Sequence, residues 1–250
     1  MSIHKTDAIL LSRQNFRQTS LIANFYTREF GKLSGILKGA RQEPDKFSSN
    51  LDVFSLNEIV FYRKANSTLY LVSQCDLKND FRLIKNDLEK MRKAFSLIDL
   101  LNTLTVPEDK NEHIFDLVFA CLGQLENASD PNRISVIFKI KALDLCGFKP
   151  HLDSCVSCND KIISQARLSL KFGGLLCDRC LNKDITARNI FRGTVASILF
   201  IEKNEFKNAL RLGISREIMR ELHQVLDAFL DFHLGKTKLE KNIVAAKSQG

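Results

Sequence analysis

Signatures of catalysis are missing from these 250 residues. There is no Gly-x-Ser-x-Gly elbow, no His-Glu-x-x-His pair and no Walker loop. The segments Gly31-Lys32-Leu33-Ser34-Gly35 and Gly35-Ile36-Leu37-Lys38-Gly39 resemble phosphate cradles only superficially. Neither places a hydroxyl residue directly after the lysine, and both read as turn and barrel-corner glycines. A zinc deaminase is disfavoured on similar grounds, because none of His4, His113, His151, His223 and His233 is followed two positions on by Glu. Also lacking is any apolar run long and uncharged enough to span a bilayer, and residues 1–7 have neither the basic start nor the apolar core of a signal peptide. A cytoplasmic protein with no membrane partner is expected. Acidic residues are scarce at the start, where residues 1–41 carry seven Lys or Arg against Asp7 and Glu29. That stretch holds most of a formal net charge of +8 and biases the partner toward polyanions.

What the chain does have is a pair of cysteine pairs. Cys155-x2-Cys158 and Cys177-x2-Cys180 sit in turn-like contexts, separated by an 18-residue spacer. Two close pairs supply four thiolates to one tetrahedral ion, so the spacing predicts one structural zinc. Such a site is closed: four thiolates leave no position for a water to be activated, which points to structure and binding rather than hydrolysis. The remaining cysteines, Cys75, Cys121 and Cys146, lie among apolar residues and read as buried free thiols.

Hydrophobic residues make up 44% of the chain, ample for buried cores, so disorder is excluded. Runs rich in β-branched and aromatic residues occur near 7–12, 20–27, 32–38, 53–62 and 68–75, with hairpin connections at 28–31 and 64–67. Five short strands in about eighty residues fit a small barrel of the oligonucleotide-binding (OB) type, and an SH3-like barrel fits nearly as well. From about residue 80 the apolar period lengthens to between three and four, as in Phe81, Ile84, Leu88, Met91, Phe95, Ile98 and Leu101. Further helices are predicted over 111–127, from Asp130-Pro131 to Gly147, and near 187–203 and 215–234. The expected architecture is α+β: an OB-type barrel over 1–79, a helical domain over 80–250, and a zinc module at 148–182 inserted within it.

Within the barrel, Arg13, Arg17, Lys32, Lys38, Arg41, Lys46, Arg63 and Lys64 are interleaved with aromatics, the mixture that neutralises phosphates while stacking bases. Phe16 and Phe47 lie in polar loop contexts and are the candidate stackers.

Several blocks of this sequence resemble the RecO family of bacterial DNA recombination and repair proteins. They are Ala8-Ile9-Leu10-Leu11-Ser12-Arg13, Phe25-Tyr26-Thr27-Arg28-Glu29-Phe30-Gly31-Lys32, Lys38-Gly39-Ala40-Arg41 and Leu51-Asp52-Val53-Phe54. Later come the segments 147–158, 172–180 and Phe232-His233-Leu234-Gly235. The resemblance spans nearly the whole chain. It implies an OB barrel, a helical domain and an embedded zinc module. It also implies a non-enzymatic mediator that binds single- and double-stranded DNA and anneals complementary strands. With RecR, such a mediator helps load RecA onto DNA coated by single-strand-binding protein. The family's basic stretch after Lys-Gly-Ala-Arg is diluted here to Gln42-Glu43-Pro44-Asp45-Lys46-Phe47. Two other functions fit the residues: an adaptor whose cations dock an acidic partner tail, with incidental DNA affinity, and a zinc-dependent nucleic-acid-modifying enzyme. The closed cysteine site and missing general base disfavour the second.

Overall fold

The structure, a computed structural model, describes residues 2–43, 47, 51–63, 67–162 and 166–247, with side chains through 235. Two compact units divide the chain, Met1–Ile134 and Ser135–Gly250. In the first, strands β1 (Ser2–Phe16), β2 (Ser20–Thr27), β3 (Gly31–Leu37), β4 (Leu56–Arg63) and β5 (Leu69–Asn79) form a closed barrel in the order β1-β2-β3-β5-β4, with β4 returning to β1. A five-stranded barrel of this kind fits the OB type.

The long β1 makes closure possible. Its first half pairs with β4 (Ser2↔Arg63 to Ile9↔Leu56) and its second half with β2 (Ala8↔Thr27 to Phe16↔Ser20). A register shift between Leu10 and Ser12 bends the strand from one partner to the other. On the opposite side β3 and β5 pair in parallel, Ser34↔Leu69 through Ile36↔Leu71. Gly35 is needed there, since a Cβ on it would lie 2.4 Å from Val72 Cγ2. Alternation places Leu21, Ala23 and Phe25 of β2, Leu33 and Leu37 of β3, and Phe61, Tyr70 and Val72 in one core.

Three helices complete this unit: α1 (Arg82–Lys85), α2 (Leu88–Leu104) and α3 (Glu112–Glu126). The helix predicted from Phe81 to Leu101 is thus two. Phe81 enters with a left-handed backbone (φ 44°), and the Asp87 carboxylate caps a fresh start by accepting from Glu89 N–H and Lys90 N–H. These helices pack on the barrel through Phe54–Phe95 (4.8 Å between ring centres), the Lys85–Asp52 pair at 2.8 Å and the Arg28–Asp116 pair at 2.7 Å.

The division between units falls within α4 (Pro131–Leu145). Beyond it comes a three-stranded sheet, ordered β7 (Gly174–Leu176), β6 (Arg167–Ser169), β8 (Arg188–Asn189). A 3₁₀ turn at Asp178–Lys183 and helices α5 (Arg192–Lys203), α6 (Phe206–Ala209) and α7 (Arg216–Lys247) follow. Residues 187–191, predicted as the start of a helix, instead supply β8 and the link into α5, and just before them Thr186 N–H donates to the Asp184 carboxylate at 2.9 Å. Cys75 and Cys121 are buried free thiols, and Cys146 is half-buried. No helix among the described residues is long and apolar enough to cross a membrane.

Candidate functional site

The second unit brings the four predicted cysteines together. A parallel bridge between His151 and Gly174 docks the segment leading into Cys155 against the β6–β7 hairpin that leads into Cys177. His151 N–H donates to Gly173 O (2.9 Å), and Leu175 N–H donates to His151 O (2.9 Å). Gly174 is required for this approach, because a Cβ there would sit 2.5 Å from His151 O. The first pair then folds into a knuckle: Asn159 adopts a left-handed backbone (φ 61°), its N–H donating to Cys155 O (2.8 Å) while Cys155 N–H donates to Asp160 O (2.9 Å). The second pair closes in the 3₁₀ turn, Cys180 N–H to Cys177 O at 2.9 Å.

The sulfurs of Cys155, Cys158, Cys177 and Cys180 all lie within 4.8 Å of one another, and Cys158 Sγ is 3.7 Å from Cys177 Sγ. A tetrahedral ion with metal–sulfur bonds of about 2.3 Å sets the sulfurs roughly 3.8 Å apart, so the cage fits a metal of that kind. Its electrostatics fit too. Burial works against a thiolate at Cys155, but backbone N–H groups of Cys177, Ser157 and Cys158 outweigh it and pull the thiol down to about 6. At Cys158 the Asp160 N–H favours the anion, yet burial and the sulfurs of Cys155, Cys177 and Cys180 prevail and push it up to about 12. The cage stabilises one negative charge and resists a second, the imbalance that a dication removes.

On the barrel the predicted DNA-contact residues separate into groups. Arg41 Nη1 donates to Arg17 O at 2.9 Å and Arg41 N–H donates to Thr19 O at 3.0 Å, clamping the 38–41 turn onto the β1–β2 turn. At that one end of the barrel Arg17, Lys38 and Arg41 are exposed, with the Arg17 guanidinium 5.2 Å from the half-buried Phe16 ring. Arg13 is exposed on β1, 3.9 Å from Asp52.

The remaining positions lie in other settings. Phe47 is not a stacker: it is 5% exposed and belongs to the barrel core with Leu37 and Leu51. Lys32 is half-buried, its ammonium donating to Asn102 O (3.0 Å) and Thr105 O (2.9 Å), which ties β3 to the end of α2, and it lines a cleft on the outer surface of the barrel. Arg63 stays exposed, with its guanidinium 2.6 Å from the Glu108 carboxylate. Lys46 and Lys64 lie outside the described residues.

Sequence reasoning passed over the outward polar positions of the barrel strands, Ser12, Asn24 and Ser34. Their signal is local but faint: single small polar residues within runs that are otherwise largely apolar, as Asn24 between Ala23 and Phe25.

A family model described as Recombination protein O N terminal matches residues 1–81, and one described as Recombination protein O C terminal matches residues 85–242. The chain belongs to the RecO family. Among curated relatives, a DNA repair protein RecO of Syntrophus aciditrophicus is 30% identical over 239 residues, covering 93% of this chain and 92% of that one. Those of Desulfatibacillum aliphaticivorans and Halalkalibacterium halodurans are 29% and 26% identical, each spanning 92% of this chain and 92% and 91% of their own length. The two family models abut between residues 81 and 85, at the end of the barrel.

Proposed function

We propose that this protein is a non-enzymatic recombination mediator of DNA repair, acting in the cytoplasm. It binds single- and double-stranded DNA, anneals complementary strands and, with RecR, helps load RecA onto single strands coated by single-strand-binding protein. Family membership supports the repair role. One observation carries the DNA-binding part: the clamped end of the barrel where Arg17, Lys38 and Arg41 stand exposed beside Phe16. Mobile phosphates are held by several such cations at once, each displacing a condensed counterion, and an aromatic among them offers a face to a base. The metal is zinc in this reading, bound by Cys155, Cys158, Cys177 and Cys180 to hold the 148–182 module in shape.

Replacing Lys38 and Arg41 together with Ala should weaken binding to single-stranded DNA alike for every sequence and lower the slope of log affinity against log salt by about 1 to 2. A folded double variant with unchanged affinity and slope would move the DNA path away from this end of the barrel.

A further inference from the structure

The outer surface of the barrel holds a cleft of about 570 Å3, within the range of about 300–1,000 Å3 usual for ligand sites. Its floor is a row of polar side chains running across three strands. Ser12 is the cross-strand partner of Asn24, and Asn24 that of Ser34. The Asn24 amide nitrogen donates to Ser12 Oγ at 2.9 Å, and Ser34 Oγ donates to the Asn24 carbonyl oxygen at 2.6 Å. Ile22 and Leu69 offer apolar sides, and Pro107 with Glu108 forms a wall.

That wall is fixed in place. Pro107 bridges to Lys32, and Glu108 N–H donates to Lys32 O at 2.8 Å. The Glu108 carboxylate is held by Arg63 and by the Tyr70 hydroxyl, which burial and the Glu108 bond keep protonated by raising it above its ordinary value. Gly31 lets the segment come close, since a Cβ there would lie 2.1 Å from Asp109 O. The cleft is therefore formed before any ligand arrives.

A primary amide has two donor hydrogens and two acceptor lone pairs. The flanking serines take one of each. One N–H and one carbonyl lone pair of Asn24 remain for a ligand, in a plane locked from both sides. A donor next to an acceptor is what every nucleobase presents on its pairing edge, with A and C offering one order and G and T the other. Because a serine hydroxyl donates or accepts equally well, both orientations of the amide are supported and both orders can be met. In a duplex that edge is already used.

We propose that this cleft takes one unpaired nucleobase of a single strand, of any identity, held by its pairing edge on Asn24. The proposal rests on the DNA-binding reading above and adds to it a preference for single strands. General affinity comes from the cations at the barrel end, and discrimination between single and double strands comes from the cleft.

The test uses the full chain with Asn24→Leu and, as a milder change, Ser34→Ala. Both are titrated with a single strand, with the same strand made of abasic residues, and with the duplex. Asn24→Leu should lose about three- to tenfold in affinity for the single strand and nothing for the duplex. The unmodified protein should bind the abasic strand at least as weakly as the variant binds the normal one, because the abasic strand also has no base to set on Phe16. Side-chain amide NMR of the unmodified protein should show the Asn24 resonances shifting with both dAMP and dTMP, a readout independent of variant folding. No shift with either nucleotide, equal losses for single strand and duplex, or an abasic strand bound as well as a normal one would each overturn the cleft while leaving the DNA-binding reading intact. Absence of any DNA binding by the unmodified protein at low salt would overturn both.

Discussion

Cys155 and Cys158 stand three residues apart and hold their protons very differently. The same hydrogen-bonded sulfur cluster draws Cys155 down to about 6 and pushes Cys158 up to about 12, so the two titrate as a pair that holds one negative charge and resists a second. A metal binds the thiolate forms and so displaces protons from the cage, each of which makes affinity rise about tenfold per pH unit. Affinity should fall as pH falls, and Cys158→Ser, which removes a ligand, should weaken binding. Competition with a chelator at pH 6.5, 7.5 and 8.5 measures the slope, and elemental analysis of protein purified without chelator should find one zinc per chain. Affinity that did not fall with pH would refute the reading that uptake displaces protons from the cage. Protein without stoichiometric zinc would refute the zinc assignment.

Among the elements, the turn joining β2 to β3 shows how much a single glycine can decide. Gly31 has φ +64°, a conformation costly to residues with a side chain, and its missing Cβ leaves room for the backbone of Asp109. Gly31→Ala should destabilise the first unit by about 2–4 kcal/mol through backbone strain and the displaced 107–109 segment. Gly123 is the opposite case. It lies inside α3, a Cβ there meets nothing within 4 Å, and Gly123→Ala should stabilise by about 1 kcal/mol. Urea midpoints of the two variants should move in opposite directions, and a like-signed shift would contradict this reading.

The same elements show what a sequence exposes. The alternation Leu21, Ala23, Phe25 and the cysteine spacing are local patterns, and both the β2 strand and the metal cage follow from them. β1 extends well beyond its apolar stretch at 7–12, to Ser2 and Phe16, because its polar ends are held by β4 and β2, partners distant in sequence. Strands of two or three residues, as in β6 to β8, are too short to show any period. Lys32 and Phe47 look like surface residues in their own neighbourhoods. What engages the first is α2 and what buries the second is the barrel core, and neither is visible along the chain.

For the whole molecule, annealing brings two polyanions together, and their mutual repulsion is the barrier to be lowered. In the function proposed above, the cations at the barrel end would neutralise phosphates and release counterions, a contribution that weakens as salt rises. Nothing in that process consumes chemical energy. A closed cage of four thiolates offers no position for an activated water, and the sequence contains no phosphate-binding loop. Strand annealing by the purified protein should therefore proceed without nucleotide, be unchanged by added ATP, and fall steeply between about 50 and 200 mM salt. It should also fall in the Lys38→Ala, Arg41→Ala double variant, because the same cations serve both strands. Fluorescence from complementary labelled strands follows the reaction. If annealing required ATP hydrolysis, or if DNA were cleaved or modified in proportion to protein after contaminants were removed, the chain would be an enzyme and the mediator reading would fail.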